Sequence, residues 1–251
     1  MTKFDKLLSI VKKLRSPDGC DWDKEQTHES LMPYLLEEVY EVIEAIENKD
    51  FTLLKEELGD LLLHVVFQAD LAQDKNKFSI DDSIEFVNEK LISRHPHIFD
   101  HSNNASWEKD NWESQKQKEK NRDSILDGVP SSLPALLKSR RIQEKAASVG
   151  FDWDNNSQVL KKIDEEISEL KVALNQNEGI EDELGDVLFT IVNLSRHLNI
   201  DPEKSLRLST KKFINRFKKI EKDLNNKNIK IKDLSLNELD QIWEKNKKIE
   251  Q

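Results

Sequence analysis

An acidic helical signature is written twice along this chain, and a unit that repeats in this way constrains the fold to two like halves. Glu37-Glu38-Val39-Tyr40-Glu41 is followed by Glu57-Leu58-Gly59-Asp60, and Glu165-Glu166-Ile167-Ser168-Glu169 by Glu183-Leu184-Gly185-Asp186. Further landmarks recur in the same order. Gly19-Cys20-Asp21-Trp22-Asp23 matches Gly150-Phe151-Asp152-Trp153-Asp154, Lys90 and Arg94 match Lys212 and Arg216, and Trp112-Glu113 with Lys116 matches Trp243-Glu244 with Lys247. Self-similarity on this scale is the mark of a tandem duplication. The expected division is a first repeat over 1–116, a connector over 117–135 and a second repeat over 136–251. The run from Lys116 to Asp123 is charged and has no apolar stripe, as a connector would be.

Only 6 glycines and 6 prolines occur in 251 residues, and long stretches rich in Leu, Glu and Lys show no two-residue alternation. An all-α chain without sheet is predicted. Helix starts are signalled by Ser79 with Asp82, by Asp201 before Pro202, and by Ser235 with Glu238. Breaks are expected at Ser16 to Gly19, Asn48 to Asp50, His95-Pro96, Asp127 to Pro130 and Asn175 to Gly179. Phe4, Leu7, Leu8, Val11 and Leu14 recur among lysines and predict an amphipathic first helix in place of a signal peptide. The single cysteine, Cys20, cannot close an intramolecular disulfide, so a reducing cytoplasm is the simplest setting. The longest apolar stretch, Leu61 to Phe67, is far shorter than the ~20 residues a spanning helix needs, so no membrane partner is expected. A net charge of −10 argues against a general nucleic-acid surface. Lys211, Lys212, Arg216, Lys218, Lys219 and Lys222 cluster on one predicted helix, which reads first as a solvated face.

Helical geometry turns the acidic motifs into a site. Residues three or four apart share a face, so Glu166 and Glu169 are neighbours and Glu165 lies within the same arc, beside a stripe of Ile163, Ile167, Leu170 and Leu174 expected to pack inward. Glu183 and Asp186 are three apart on the next helix, and the turn at Asn175 to Gly179 is short enough to make the two helices antiparallel neighbours. Carboxylates gathered so closely repel one another, and all-oxygen ligation suits Mg²⁺, with Mn²⁺ as a substitute, better than zinc. Such ions bridge carboxylates to substrate phosphates, which points to a polyphosphate substrate. The first copy offers a second possible set in Glu37, Glu38, Glu41, Glu57 and Asp60. Lys162 stands four residues before Glu166, where the first copy has Tyr34 before Glu38. This lysine either holds a phosphate or pairs with Glu166.

These residues resemble the MazG-type nucleoside triphosphate pyrophosphohydrolases, whose metal signature is Glu-Glu-x-x-Glu followed by Glu-x-x-Asp on paired helices. The resemblance extends to Cys20 to Thr27, Arg94-His95-Pro96-His97, Ser132 to Leu136 and Val149 to Trp153, and so spans nearly the whole chain. It implies two tandem helical-bundle domains, a homodimer, Mg²⁺ dependence, and hydrolysis of nucleoside triphosphates such as ATP between the α and β phosphates, giving monophosphate and pyrophosphate. It also implies that the second copy carries the activity. Glu165, Glu166, Glu169, Glu183 and Asp186 would then hold metal and substrate, with Glu166 and Glu169 catalytic. Lys162, Lys212, Arg216, Trp243, Lys247 and, from the connector, Lys116 would contact substrate. The Trp243 ring could stack on a base, although a helical tryptophan is more often core.

Other chemistries fit poorly. The proline between His95 and His97 prevents a regular helical pair, and neither these nor His101 has a convincing third ligand for zinc. His64 and His197 read as packing or capping residues. No Gly-x-x-x-x-Gly-Lys loop occurs. The alternative from another class is a catalytically silent helical regulatory protein that binds nucleotide or metal without turnover.

Overall fold

The structure is a computed structural model that describes residues 1–99 and 123–249, with side chains through 247. The chain divides into two compact units, Met1–Trp107 and Glu108–Gln251. The first contains α1 (Lys3–Leu14), α2 (Asp21–Glu25), α3 (Met32–Asn48), α4 (Phe51–Asp74), α5 (Ile80–Arg94) and α6 (Pro96–Phe99). The second contains α7 (Ala135–Ala147), α8 (Asn156–Gln176), α9 (Ile180–His197), α10 (Pro202–Asn226), a 3₁₀ turn at Ile231–Asp233 and α11 (Leu236–Ile249). The described residues contain no strand, and none of their helices is long and apolar enough to cross a membrane.

Each unit is organised around one tight helix pair. In the first, α3 stops at Lys49, which adopts the left-handed conformation (φ 56°), and the Asp50 carboxylate caps α4 by accepting from the amides of Thr52 and Leu53 at 3.0 Å. A connection this short folds α4 back along α3. α1 lies against α4, where Val11, Leu31, Val66, Phe67 and Leu71 form the core and Phe4, Leu7, Leu8 and Leu63 close around it. The amphipathic first helix is thus as predicted. Its end is tied down by Arg15, which pairs with Asp70 and, at 2.7 Å, with Asp74 of α4, its guanidinium lying 5.5 Å from the centre of the Phe67 ring.

In the second unit α8 and α9 form the pair, turned by Asn177 (φ 55°) and Gly179 (φ 68°), both in the left-handed region. The expected break from Asn175 is therefore shorter than read: helical hydrogen bonding runs through Gln176, because the left-handed residue that ends it is Asn177. α7 packs on α9 and α10, and α10 folds onto α11. The predicted caps form: Ser79 with Asp82, Asp201 ahead of Pro202, and Ser235 reciprocally with Glu238. The apolar stripe is corrected. α8 buries Val159, Glu166 and Ala173, whereas Ile167 and Leu174, expected inside, are exposed. The inward face is rotated about one residue from the purely apolar stripe, and it takes a glutamate into the interior.

The loop before α8 is fastened to α9 by ions of opposite sense to those in the first unit. Asp152 accepts from Arg196 Nη1 at 2.8 Å, from His197 Nε2 at 3.0 Å and from the Trp153 amide at 2.9 Å. Arg196 Nε in turn donates to buried Asn193 at 3.1 Å. Burial works to raise the Asp152 pKa, but the hydrogen bonds from Arg196 and His197 outweigh it and hold the carboxyl below its ordinary 3.8. Its stabilising contribution is complete above pH 3.8 and is lost as pH falls through the depressed folded value. Asp152→Asn leaves the Arg196 guanidinium, whose side chain is 14% exposed, without a charged partner. A loss of about 1–3 kcal/mol at pH 7 is expected, measured by urea denaturation, with the gap to the parent narrowing below pH 3.8.

Candidate metal centre

The second unit's site is assembled by two turns of α8 and one turn of α9. Glu166 is 5% exposed at the middle of the inner face of α8. Glu183 and Asp186 project from the first turns of α9, and one oxygen from each of Glu166, Glu183 and Asp186 comes within 4.8 Å of the others. The Glu183 Oε2 atom is buried without a hydrogen-bond partner. Glu169 faces the same group: burial, then the charge of Glu166, raise its pKa, with a smaller push from Glu183. Glu165 is more exposed and joins the group through Lys162, whose ammonium lies 2.8 Å from Glu165 Oε1 and 2.7 Å from Glu166 Oε1. Hydrogen bonds to Glu165 and then to Glu166 raise the lysine's pKa. Of the two readings open for Lys162, the ion pair is what the structure shows.

The first unit meets the same electrostatic problem differently. Glu38, Glu41 and Glu57 bring oxygens within 4.8 Å of one another, and Glu57 is 7% exposed. Burial, followed by repulsion from Asp60, Glu41 and Glu57, pushes Glu38 up to about 7. Burial and then Glu41 raise Glu57 as well. Asp60 acts on both as a nearby charge, while Glu37 stays exposed outside the converging three. Tyr34, at the place of Lys162, instead meets Trp22 edge-on at 6.0 Å and 75°. In the first set the repulsion goes into a raised Glu38 pKa, and in the second a lysine pairs with Glu166.

Both sets offer only oxygen donors, and in the second a buried carboxylate oxygen has no other partner. The donors fit a hard divalent cation such as Mg²⁺ or Mn²⁺. The remaining candidates lie on the α10–α11 hairpin. Phe213 stacks on Phe217 at 6.0 Å and tilts against Trp243 at 5.0 Å, and the Arg216 guanidinium is 5.7 Å from the centre of the Trp243 ring. Trp243 is half-buried, Lys212 is exposed, and Lys247 lies 3.2 Å from Glu244. The structure groups these four on one hairpin, where Arg216 borders Trp243 and Lys247 pairs with Glu244. Lys116, Trp112, Glu113 and His101 lie outside the described residues.

Histidines take structural places among the described residues. His95 Nδ1 lies 2.7 Å from the Leu91 carbonyl, and its ring is 5.8 Å from that of His97. His64 is half-buried, and that burial lowers its pKa against the pull of Asp60. Support for the site also comes from residues that no motif marks. Gln143, buried on α7, donates to the Phe189 carbonyl at 2.8 Å, just beyond Asp186 on α9. A polar residue at an inward helical position was the only signal available for it.

With this geometry in place, comparison with known proteins is specific. A family model described as the MazG nucleotide pyrophosphohydrolase domain matches residues 26–99 and again 154–220. The chain is 50% identical over 246 residues to the nucleoside triphosphate pyrophosphohydrolase/pyrophosphatase MazG of Thermotoga maritima, covering 97% of this chain and 95% of that one. It is 40% identical over 260 residues to the nucleoside triphosphate pyrophosphohydrolase of Escherichia coli K12, covering 100% and 99% respectively. It is also 41% identical to the uncharacterized protein YabN of Bacillus subtilis, across 99% of this chain and 52% of that protein.

The raised pKa of Glu38 has a measurable consequence. Because its folded pKa lies near 7, above the ordinary 4.5, the folded state binds the extra proton between those values. Stability of the metal-free protein should therefore fall as pH rises from about 4.5 to about 7. Glu38→Gln should flatten part of that slope and stabilise the first unit at pH 8, as read from urea midpoints in the presence of chelator. An unchanged slope would mean that Glu38 is ionised throughout.

Proposed function

The chain belongs to the MazG nucleotide pyrophosphohydrolase family and is a nucleoside triphosphate pyrophosphohydrolase, a hydrolase acting on acid anhydrides; on that premise we propose that its second repeat cleaves the α–β linkage of nucleoside triphosphates. Water is consumed, the α–β anhydride bond breaks, and nucleoside monophosphate and pyrophosphate leave. The observation that carries the assignment is the convergence of Glu166, Glu183 and Asp186, together with a buried Glu183 oxygen that has no hydrogen-bond partner. Mg²⁺, or Mn²⁺ in its place, would be held by these three with Glu165 and Glu169. Such an ion neutralises phosphate charge and lowers the pKa of a bound water.

The chain's own groups supply the rest. Glu169, which faces the converging carboxylates, orients the attacking water and takes its proton. Glu166 holds the neighbouring position from the interior of α8. Lys162, Lys212, Arg216 and Lys247, with Lys116 from the connector, bind phosphate oxygens as flexible or forked cations, and the Trp243 face, already bordered by Arg216, receives the base. The first set, Glu37, Glu38, Glu41, Glu57 and Asp60, is a second metal site of lower or no turnover, because it has no counterpart of Lys162. The repeats are two domains, over 1–116 and 136–251, joined by 117–135 in a cytoplasmic enzyme.

A homodimer accounts for the apolar side chains left on the helix pairs. Leu58, Leu62 and Val65 on α4, and Leu184, Leu188 and Ile191 on α9, are exposed, and exposed apolar faces of this kind mark association surfaces. Sedimentation equilibrium should return twice the 29.3 kDa chain mass; the monomer mass would refute the dimer.

Turnover is checked by resolving products from a panel of triphosphates with Mg²⁺. Monophosphate and pyrophosphate are expected, abolished by chelation, and Glu169→Ala should lower kcat by about 10²-fold or more. Diphosphate and phosphate as products, or full activity in Glu169→Ala, would overturn the proposed cleavage or the proposed site respectively.

A further inference from the structure

We propose that Lys162 is an exchangeable counter-ion of the second site, pairing with Glu165 and Glu166 while the site is free and moving to a substrate phosphate as a divalent cation takes over those carboxylates. The inference rests on the metal-site reading above and concerns how that site is loaded. In the structure the ammonium bridges Glu165 and Glu166 at 2.8 and 2.7 Å. Glu166 is also one of the three carboxylates whose oxygens converge. Lysine and cation therefore draw on the same buried charge.

An ordinary helix-stabilising pair accounts less well for this arrangement. The lysine precedes both glutamates along α8, and that order is the weaker one for pairs spaced three and four apart. Glu166 is buried, so its charge needs a partner for as long as no metal is present. A lysine meets that need without blocking the site. Its single compact charge sits on a flexible four-carbon stem and can leave, whereas an arginine would be fixed by a planar two-point grip. The Lys162 side chain keeps 32% of its surface exposed, which leaves it free to swing. Tyr34 fills the corresponding place in the first unit and is turned toward Trp22, so the device belongs to the second unit alone.

Two consequences follow by linkage. Metal alone binds the second site weakly because it must displace the ammonium, and metal with polyphosphate binds well because the displaced ammonium gains a new partner. Each ligand then strengthens the other by the same factor. The test is calorimetric titration of Mn²⁺ into the full chain, with and without a non-hydrolysable α,β-methylene triphosphate, for the parent protein, Lys162→Met and Lys162→Arg. Lys162→Met should bind Mn²⁺ alone about tenfold more tightly, in keeping with loss of two competing ion pairs of the usual strength. It should also lose most of the mutual enhancement between Mn²⁺ and the analogue. Lys162→Arg should bind Mn²⁺ alone more weakly than the parent. Mn²⁺ affinity unchanged in either variant, or enhancement by the analogue intact in Lys162→Met, would overturn the exchange. Those results would leave the proposed function standing as long as the parent still yields monophosphate and pyrophosphate; absence of that turnover would instead remove the function and leave the affinities to be read by themselves.

Discussion

Mutual repulsion among carboxylates held inside a helix pair is the condition to which the rest of this structure answers. Three oxygens within 4.8 Å of one another in each unit, with Glu57 and Glu166 nearly shut off from solvent, would drive an isolated helix pair apart. Each unit compensates locally. Burial and repulsion push Glu38 up to about 7, while Glu166 takes Lys162 as a partner. Two copies of one acidic pattern therefore meet the same repulsion in different surroundings, with Tyr34 in the first unit where Lys162 stands in the second.

Rigidity of the helix that carries Glu-x-x-Asp is secured away from the acidic groups. In the first unit Arg15 reaches from α1 to Asp70 and Asp74 on α4 and covers Phe67. In the second unit the polarity is reversed, with Arg196 and His197 on α9 reaching Asp152 in the loop. Buried Gln143 adds a neutral hydrogen bond to the same helix, within which buried Asn193 accepts from Arg196. An ion pair that is largely desolvated at one end costs little when both partners are present and much when one is removed, so these ties hold α4 and α9 in place against the strain of their acidic turns. The α10–α11 hairpin is held by aromatic packing instead, and it presents Arg216 beside a half-buried Trp243.

The helical character, the duplication, the caps at Ser79, Asp201 and Ser235 and the pairing of the two acidic helices were all legible beforehand, because each depends on neighbours within one or two turns. The inward face of α8 was not. Ile163, Ile167, Leu170 and Leu174 make the more continuous apolar stripe, yet Ile167 and Leu174 point outward and Glu166 goes in. Apolarity ranks faces by transfer from water, and it carries no information on which carboxylate a neighbouring helix will desolvate. Gln143 and Asn193 were invisible for the same reason: single polar residues on buried faces acquire meaning only from the atoms opposite them. The break after α8 was read two residues early, since Asn175 and Gln176 resemble turn residues and only the left-handed Asn177 ends the hydrogen bonding.

The sequence by itself determined the all-α class, the repeat and the family signature, since helical period and residue spacing are properties of the chain read along its length. Only the tertiary structure decided which carboxylates meet, that Glu183 keeps an unpartnered oxygen among them, and whether Lys162 pairs within its own helix. Those outcomes depend on distances and burial between α8 and α9, and electrostatic energies in a partly desolvated site vary with separation and surroundings far more steeply than any pattern of letters can express.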